Sequence, residues 1–271
     1  MDALDRYASP DSFVKSMLID PAQLTANTWL DAVEHHQELG STQDRARAAA
    51  AELPVERSLL VVADRQTAGR GRGANTWWTG EGSLAFSLLF DPARFDLPRR
   101  AVPQISLTAA VALVDAINPL VVGHVLGLHW PNDVYVTGRK LAGLLVDVLS
   151  DGRHILGVGI NTNNSLTDAP DELRDSIATL HWLSGRLVDH GELLVAFLDA
   201  FAVALRMLAE SPAQLGLRFN ELCLQHAQTL TVRNGFERAT GRCAGIAADG
   251  ALLLDTEQGR RAFYSGTLRW E

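Results

Sequence analysis

Arg70 and Arg72 alternate with Gly69, Gly71 and Gly73 in the run Asp64-Arg65-Gln66-Thr67-Ala68-Gly69-Arg70-Gly71-Arg72-Gly73-Ala74-Asn75-Thr76-Trp77. A guanidinium offers a planar fork of donors matched to a carboxylate or a phosphate. Glycine lets the backbone approach a ligand closely and adopt positive φ. The run follows the apolar Leu59-Leu60-Val61-Val62. It therefore reads as a strand emptying into a flexible, positively charged loop that clamps an anion. Taken alone, it reads equally as a mobile surface loop or an arginine–glycine tract touching RNA. The chain as a whole carries a net charge of −8, which disfavours a nucleic-acid surface.

Two further runs carry chemistry. His129-Trp130-Pro131-Asn132-Asp133 places an aromatic and two polar side chains at a bend, and Arg139-Lys140-Leu141-Ala142-Gly143 follows closely. A tight Pro-Asn-Asp turn with a solvated lysine in a hairpin has the same letters. Gly157-Val158-Gly159-Ile160-Asn161 reads as a strand with two poorly packing glycines, or as one that admits a ligand at its end, Asn161 reading a base edge.

The elements that must position these residues follow from periodicity. Thr42 to Leu53 is an alanine-rich helix capped by Ser41-Thr42. Leu59–Ala63, Ser83–Phe90 and His154–Ile160 read as strands. Val134–Val136 and Gly143–Leu149 pair through a turn at Thr137-Gly138-Arg139-Lys140. Leu107, Ala110, Val111, Val114 and Ile117 mark a helix ended by Pro119; Leu193, Phe197, Phe201, Leu205 and Leu208 mark a longer one. Residues 1–33 look like a partly helical extension. After residue 227 the texture becomes short β-like runs, Gln228–Val232, Gly241–Ala247, Ala251–Asp255 and Arg261–Arg269, punctuated by Asn234-Gly235 and Asp249-Gly250. The chain of 271 residues thus divides into an extension (1–33), an α+β core (34–226) and a small all-β domain (227–271). Cys223 and Cys243 match no metal spacing and read as reduced thiols; the N-terminus lacks the basic start and apolar stretch of a signal peptide, so a cytoplasmic protein without a membrane span is expected.

The motifs together resemble the biotin protein ligase family. The resemblance runs from about His35 to the C-terminus. Its anchors are Gly40-Ser41-Thr42-Gln43, Gln66 to Trp77, Trp130 to Asp133, Arg139 to Gly143 and Gly157 to Asn161, with weaker matches at Ala178-Thr179-Leu180 and Gly250 to Leu254. It implies a mixed or antiparallel catalytic sheet of the biotin/lipoate ligase type and a small C-terminal SH3-like β-barrel. It also implies a two-step reaction: biotin and MgATP give biotinyl-5′-adenylate, and biotin then passes to one lysine of a carboxylase carrier domain.

Residue by residue, the resemblance puts Ser41, Thr42 and Gln43 at the ureido head of biotin. Gln66, Gly69, Arg70, Gly71 and Arg72 fall at its carboxyl end and the phosphate. Lys140 falls at the biotin carboxylate, with Gly143 and Gly159 lining the biotin site. Trp77 and Asn161 fall at the adenine, and Arg72, Asn132 and Lys140 at ATP. Fixed cations at Arg70, Arg72 and Lys140 suit a step that brings two anions together. Asp133 is the candidate group that neutralises the acceptor lysine, whose free pKa is about 10.4. No side-chain cluster for a metal is expected; Mg2+ would arrive with ATP, near Asp133.

Three positions depart from the family pattern. His129 replaces the common lysine before Trp-Pro-Asn-Asp, so ATP affinity or its pH dependence is expected to differ. Gln43 replaces asparagine, and Ala74 replaces glycine. The 33 residues before the first match are too short for the helix-turn-helix domain of repressor members, so a monofunctional ligase, free or as a homodimer, is expected. Rival readings are a lipoate or octanoate ligase or transferase of the same superfamily, and a non-catalytic biotin sensor.

Overall fold

The computed structural model describes residues 18–97 and 102–270. Its centre is a seven-stranded sheet in the order β1-β2-β3-β7-β6-β5-β4, made of β1 (Ala32–Leu39), β2 (Leu59–Gln66), β3 (Leu84–Phe90), β4 (Leu126–His129), β5 (Asp133–Val136), β6 (Arg139–Val148) and β7 (His154–Ile160). β1 pairs parallel to β2 and every other ladder is antiparallel, so the sheet is mixed as expected.

Strand alternation sorts this sheet into two unlike faces. Phe86, Leu88, Leu144, Leu156, Val158 and Ile160 enter the main core. There they meet α3 (Val102–Ile117) and α6 (His190–Glu210), the short α4 (Asp171–Arg174) and α5 (Leu180–Ser184) lying between them in the chain, with Phe86 on Phe197 at 5.5 Å and Phe90 on Phe201 at 5.7 Å. Every residue of the two predicted helical stripes is buried. The opposite face carries Ala85, Ser87, Gly143, Gly157 and Gly159 in neighbouring register positions. At one end it is covered by α2 (Thr42–Ala50), whose Ala46, Ala49 and Ala50 pack on Leu59, Val61, Leu89 and Ile155. Beyond α2 the small side chains leave a trench.

Several expectations are corrected. The expected extension, residues 1–33, is in its described part packed on the core: α1 (Pro21–Asn27) buries Leu24, and Leu30 also joins the core; residues 1–17 lie outside the described residues. β1 and β4 were not expected, because Glu34-His35-His36-Gln37-Glu38 is polar and β4 is only four residues long. β2 continues to Gln66. The hairpin turn is Thr137-Gly138 alone, with φ of 50° and 77°, and Arg139 and Lys140 begin β6.

α7 (Pro212–Leu222) leads to a second sheet, β11-β10-β9-β8-β12, fully antiparallel, made of β8 (Thr229–Asn234), β9 (Glu237–Ile246), β10 (Leu252–Thr256), β11 (Gly259–Phe263) and β12 (Thr267–Trp270). Gly266 interrupts the expected run 261–269. Hydrogen bonds pin this sheet to the core: Trp130 Nε1 donates to Gly250 O at 3.1 Å, Gln104 Nε2 to Ala248 O at 2.8 Å, and Ile246 N to Asn220 Oδ1 at 2.9 Å.

Candidate active site

The trench holds a cavity of about 220 Å³ lined by Ser41, Thr42, Gln43, Gln66, Arg70, Gly71, Arg72, Trp77, Asn132, Asp133, Lys140, Gly143 and Gly159, together with Ser87, His129 and the segment Gly266–Leu268. Four segments far apart in sequence thus meet the second sheet around one space. Of the residues expected at the site, Gly69 and Asn161 are not on its lining. Gly69 supports the loop, its carbonyl accepting from Trp77 N at 2.9 Å. Asn161 is buried, donating to Lys140 O at 3.4 Å and accepting from Asn164 Nδ2 at 3.3 Å.

One end of the cavity is polar, buried and uncharged. Ser41 caps α2 by position, but its hydroxyl makes no capping bond and is buried without a partner. An N-cap serine ordinarily bonds a first-turn N–H, so this hydroxyl is left for another group. Thr42 N donates to Gln66 Oε1 at 2.9 Å, and the hydroxyls of Thr42 and Ser87 lie 2.9 Å apart. Ser87 Oγ donates to Gln43 Oε1 at 3.0 Å. Gly157 is required here: a Cβ would stand 2.6 Å from Gln43 Oε1.

The other end is charged. Asp133 and Lys140 face the trench together because of a bulge between Val134 and Tyr135 in the β5–β6 ladder, which pairs Val134 with Ala142 but Tyr135 with Lys140. Without the extra residue, Lys140 would share the core face with Ala142 and Leu144. Its Nζ lies 2.8 Å from Asp133 Oδ2 and 5.6 Å from the Trp77 ring centroid. The other carboxylate oxygen, Asp133 Oδ1, is buried without a hydrogen-bond partner. The Lys140 backbone is held by Ser176 O and Ala178 N, at 2.8 and 2.9 Å. The Trp77 indole lies on the glycine floor: a Cβ on Gly159 would come within 2.2 Å of it. Asn132 Nδ2 donates to Leu144 O and holds the adjoining bend, which contains a cis Trp130-Pro131 bond.

The arginine–glycine segment is no open loop. Gly71 N donates to Asn75 O at 2.9 Å and Arg70 bridges Thr76, so residues 69–77 form a small hairpin turned at Gly73, φ 66°. Ala74 sits beside that turn without disturbing it. Arg70 pairs with Asp44 at 2.7 Å on the exposed rim. Arg72 is half-buried and donates to Gly266 O, in the link between β11 and β12; burial lowers its basicity, with Asp133 opposing. The cations therefore rest on weak or exchangeable partners. His129 stacks on Tyr135 at 4.6 Å. Burial pushes its imidazole below the usual histidine range, Asp133 opposing and Lys140 reinforcing, so it is neutral at pH 7. Burial, with Asp133, raises the Tyr135 phenol to about 12.

Sequence reasoning missed Ser87 and Asp147. Each is a lone polar residue inside an apolar strand, in Leu84-Ala85-Phe86-Ser87-Leu88-Leu89-Phe90 and in Leu144-Leu145-Val146-Asp147-Val148, and that interruption was the available signal. Among the described residues no three His, Cys, Asp or Glu side chains converge as a metal site, and no helix is long and apolar enough to cross a membrane.

Comparison with known proteins agrees with this architecture. Residues 38–163 match the family model "Biotin/lipoate A/B protein ligase family", and residues 230–267 match "Biotin protein ligase C terminal domain". The bifunctional ligase/repressor BirA of Bacillus subtilis is 32% identical over 240 residues, covering 86% of this chain and 72% of that protein. The biotin–[acetyl-CoA-carboxylase] ligase of Paracoccus denitrificans is 32% identical over 215 residues, covering 75% of this chain and 87% of that protein. Among solved structures, the biotin protein ligase from Aquifex aeolicus in complex with biotin and ATP aligns with a TM-score of 0.77 at 29% identity, covering 89% of this chain and all of that one.

Proposed function

We infer the reaction of this site from one premise: the chain belongs to the biotin protein ligase family. It is an enzyme that activates biotin with ATP and transfers it to protein. The observation that carries biotin rather than lipoate is the buried neutral polar end of the cavity, Ser41, Thr42, Gln43 and Ser87, with the Ser41 hydroxyl unpartnered. A ring ureide answers these groups with both N–H and C=O. A dithiolane or an alkyl chain would leave the Ser41 hydroxyl buried and unpaired, at about 1–3 kcal/mol, and would give the rest of this polar end nothing to bond.

The roles of individual residues are our proposal. With the ureide on residues 41–43, the valeryl chain runs over Gly157 and beside the Trp77 indole, which covers Gly159, toward Lys140. The biotin carboxylate displaces Asp133 from Lys140, and the α-phosphate draws Arg70 from Asp44 and Arg72 from Gly266 O. For Lys140 and Arg70 a substrate anion takes the place of a protein carboxylate, and for Arg72 it takes the place of a neutral carbonyl, which supports the assignment of these cations to the adenylation step. Trp77 and Asn132 border the nucleotide, and Asn161 acts indirectly, through the Lys140 backbone it bonds. Mg2+ is proposed to enter on the ATP phosphates: a single carboxylate, Asp133, suits an ion held mainly by substrate oxygens. Its charge would offset phosphate repulsion.

In the second step, Asp133 Oδ1 accepts a proton from the incoming lysine ammonium, so that the neutral amine attacks the biotinyl carbonyl and AMP leaves. The carrier is proposed to be the biotin carboxyl carrier domain of a carboxylase such as acetyl-CoA carboxylase, which the names of the relatives support. The change from α7 to the second sheet supports a boundary at residues 226/227, with 227–271 as a small β domain contributing Gly266–Leu268 to the cavity wall, while the packing of Leu24 and Leu30 in the core favours a catalytic domain that begins before residue 34. A cytoplasmic location and the absence of nucleic-acid binding remain parts of this proposal. The test is incubation with biotin, MgATP and a purified carrier domain. One biotinyl group on one lysine is expected, lost on Lys→Arg substitution of that lysine; an unmodified carrier with consumed ATP would exclude this acceptor.

A further inference from the structure

We propose that Asp147 is a positioning residue for substrate recognition: it fixes which end of the Gln43 amide faces the cavity, and so presets the pocket to accept an N–H from the ligand head. The inference rests on the reading that the biotin head sits on residues 41–43.

The Gln43 side chain is buried, and its Nε2 donates to Asp147 Oδ2 at 3.0 Å and to Ile155 O at 3.2 Å. Both partners are acceptors without a proton to give. A reversed amide would set Oε1 against two oxygens, so the orientation is forced by the partners. Both Nε2 protons are then used. Oε1 points to the space above Gly157, where a Cβ would stand only 2.6 Å away. It accepts one hydrogen bond, from Ser87 Oγ at 3.0 Å, and a carbonyl oxygen has a second lone pair. That lone pair is the acceptor offered to a ureide N–H.

Asp147 is itself held. Arg47, one helical turn beyond Gln43 on α2, places Nη2 on the same Asp147 Oδ2 at 2.5 Å. The chain Arg47–Asp147–Gln43 therefore ties the polarity of the pocket to a salt bridge at its rim. It also explains how glutamine serves where an asparagine is common: the extra methylene carries the amide across to Asp147. Without Asp147 only the Ile155 carbonyl would distinguish the two amide orientations, and the flipped one would offer the ligand a second donor.

The experiment is steady-state pyrophosphate exchange by the full chain with biotin and with an analogue in which one ring N–H is replaced by oxygen. Asp147→Ala is expected to raise KM for biotin about tenfold, leave KM for ATP and kcat within about twofold, and shrink the preference for biotin over the analogue. Asp147→Asn keeps an acceptor for Nε2 and is expected to restore most of both losses. Gln43→Leu separates the layers. If it raises KM for biotin while Asp147→Ala does not, the inference is overturned and the site reading stands. If neither variant moves KM for biotin, the reading of residues 41–43 fails as well. An Asp147→Ala that raises both KM values alike, or an Asp147→Asn no better than alanine, reduces Asp147 to a structural role and also overturns the inference.

Discussion

Lys140 and Asp133 hold each other at 2.8 Å, yet the two-step reaction asks different things of them. In the proposed mechanism the lysine stabilises negative charge while carboxylate meets phosphate, and the aspartate matters chiefly when an amine must lose a proton. Lys140→Ala should therefore lower biotin-dependent pyrophosphate exchange by about 10²–10³-fold, measured at saturating ATP; near-normal exchange would remove Lys140 from the step. Asp133→Asn should slow transfer from preformed adenylate by at least about tenfold more than it slows adenylate formation. Single-turnover transfer beside exchange measures both, and equal losses would remove the proton-accepting role. The expected sensitivity at His129 takes a definite form: the common cation is exchanged for a neutral ring stacked on Tyr135.

At the scale of elements, the site depends on one helix held at both ends. The N-terminus of α2 supplies Ser41, Thr42 and Gln43. At its other end the buried Arg153 guanidinium donates to Ala50 O and, at 3.2 Å, to Leu53 O, and is anchored by Asp151 at 2.7 Å. Arg153→Ala would leave those carbonyls unpaired at a helix end, and urea unfolding should show a loss of about 1–3 kcal/mol; unchanged stability would mean that α2 does not need this cap. Most of this layer was legible beforehand. Alanine spacing gave α2, and the apolar runs gave β2, β3 and β7. What periodicity could not give was the β6 bulge, since one extra residue depends on the partner strand; read from sequence, Lys140 belongs to a turn. The polar edge strand β1 escaped for a similar reason: its residues form a strand by pairing with β2, not by their own alternation. Ser87 and Asp147 were visible only as flaws in apolar strands, and their purpose emerged once Gln43 lay between them.

For the whole molecule, two sheets share one cavity wall, and two buried histidines, His154 and His190, with the partly buried His129, set its acid limit. Burial lowers the imidazoles of His129 and His154 and brings His190 to about 4. A folded-state pKa depressed below the unfolded value near 6.5 means that the unfolded chain takes up protons first as pH falls. Stability is then full above about pH 6.5 and declines toward pH 4. His190 alone should account for roughly 2 kcal/mol between pH 7 and 5. Urea midpoints at those two pH values check this, with His190→Asn expected to flatten the difference; an equal decline in the variant would assign the acid sensitivity elsewhere.

We propose that the small-residue trench, polar at one end and cationic at the other, selects biotin and joins it to AMP. Exchange of labelled pyrophosphate into ATP, run with biotin, lipoate and octanoate side by side, tests it most directly. Exchange is expected with biotin alone, and about 10²–10³-fold lower in Lys140→Ala. Exchange with lipoate or octanoate, or biotin binding without exchange, would contradict it.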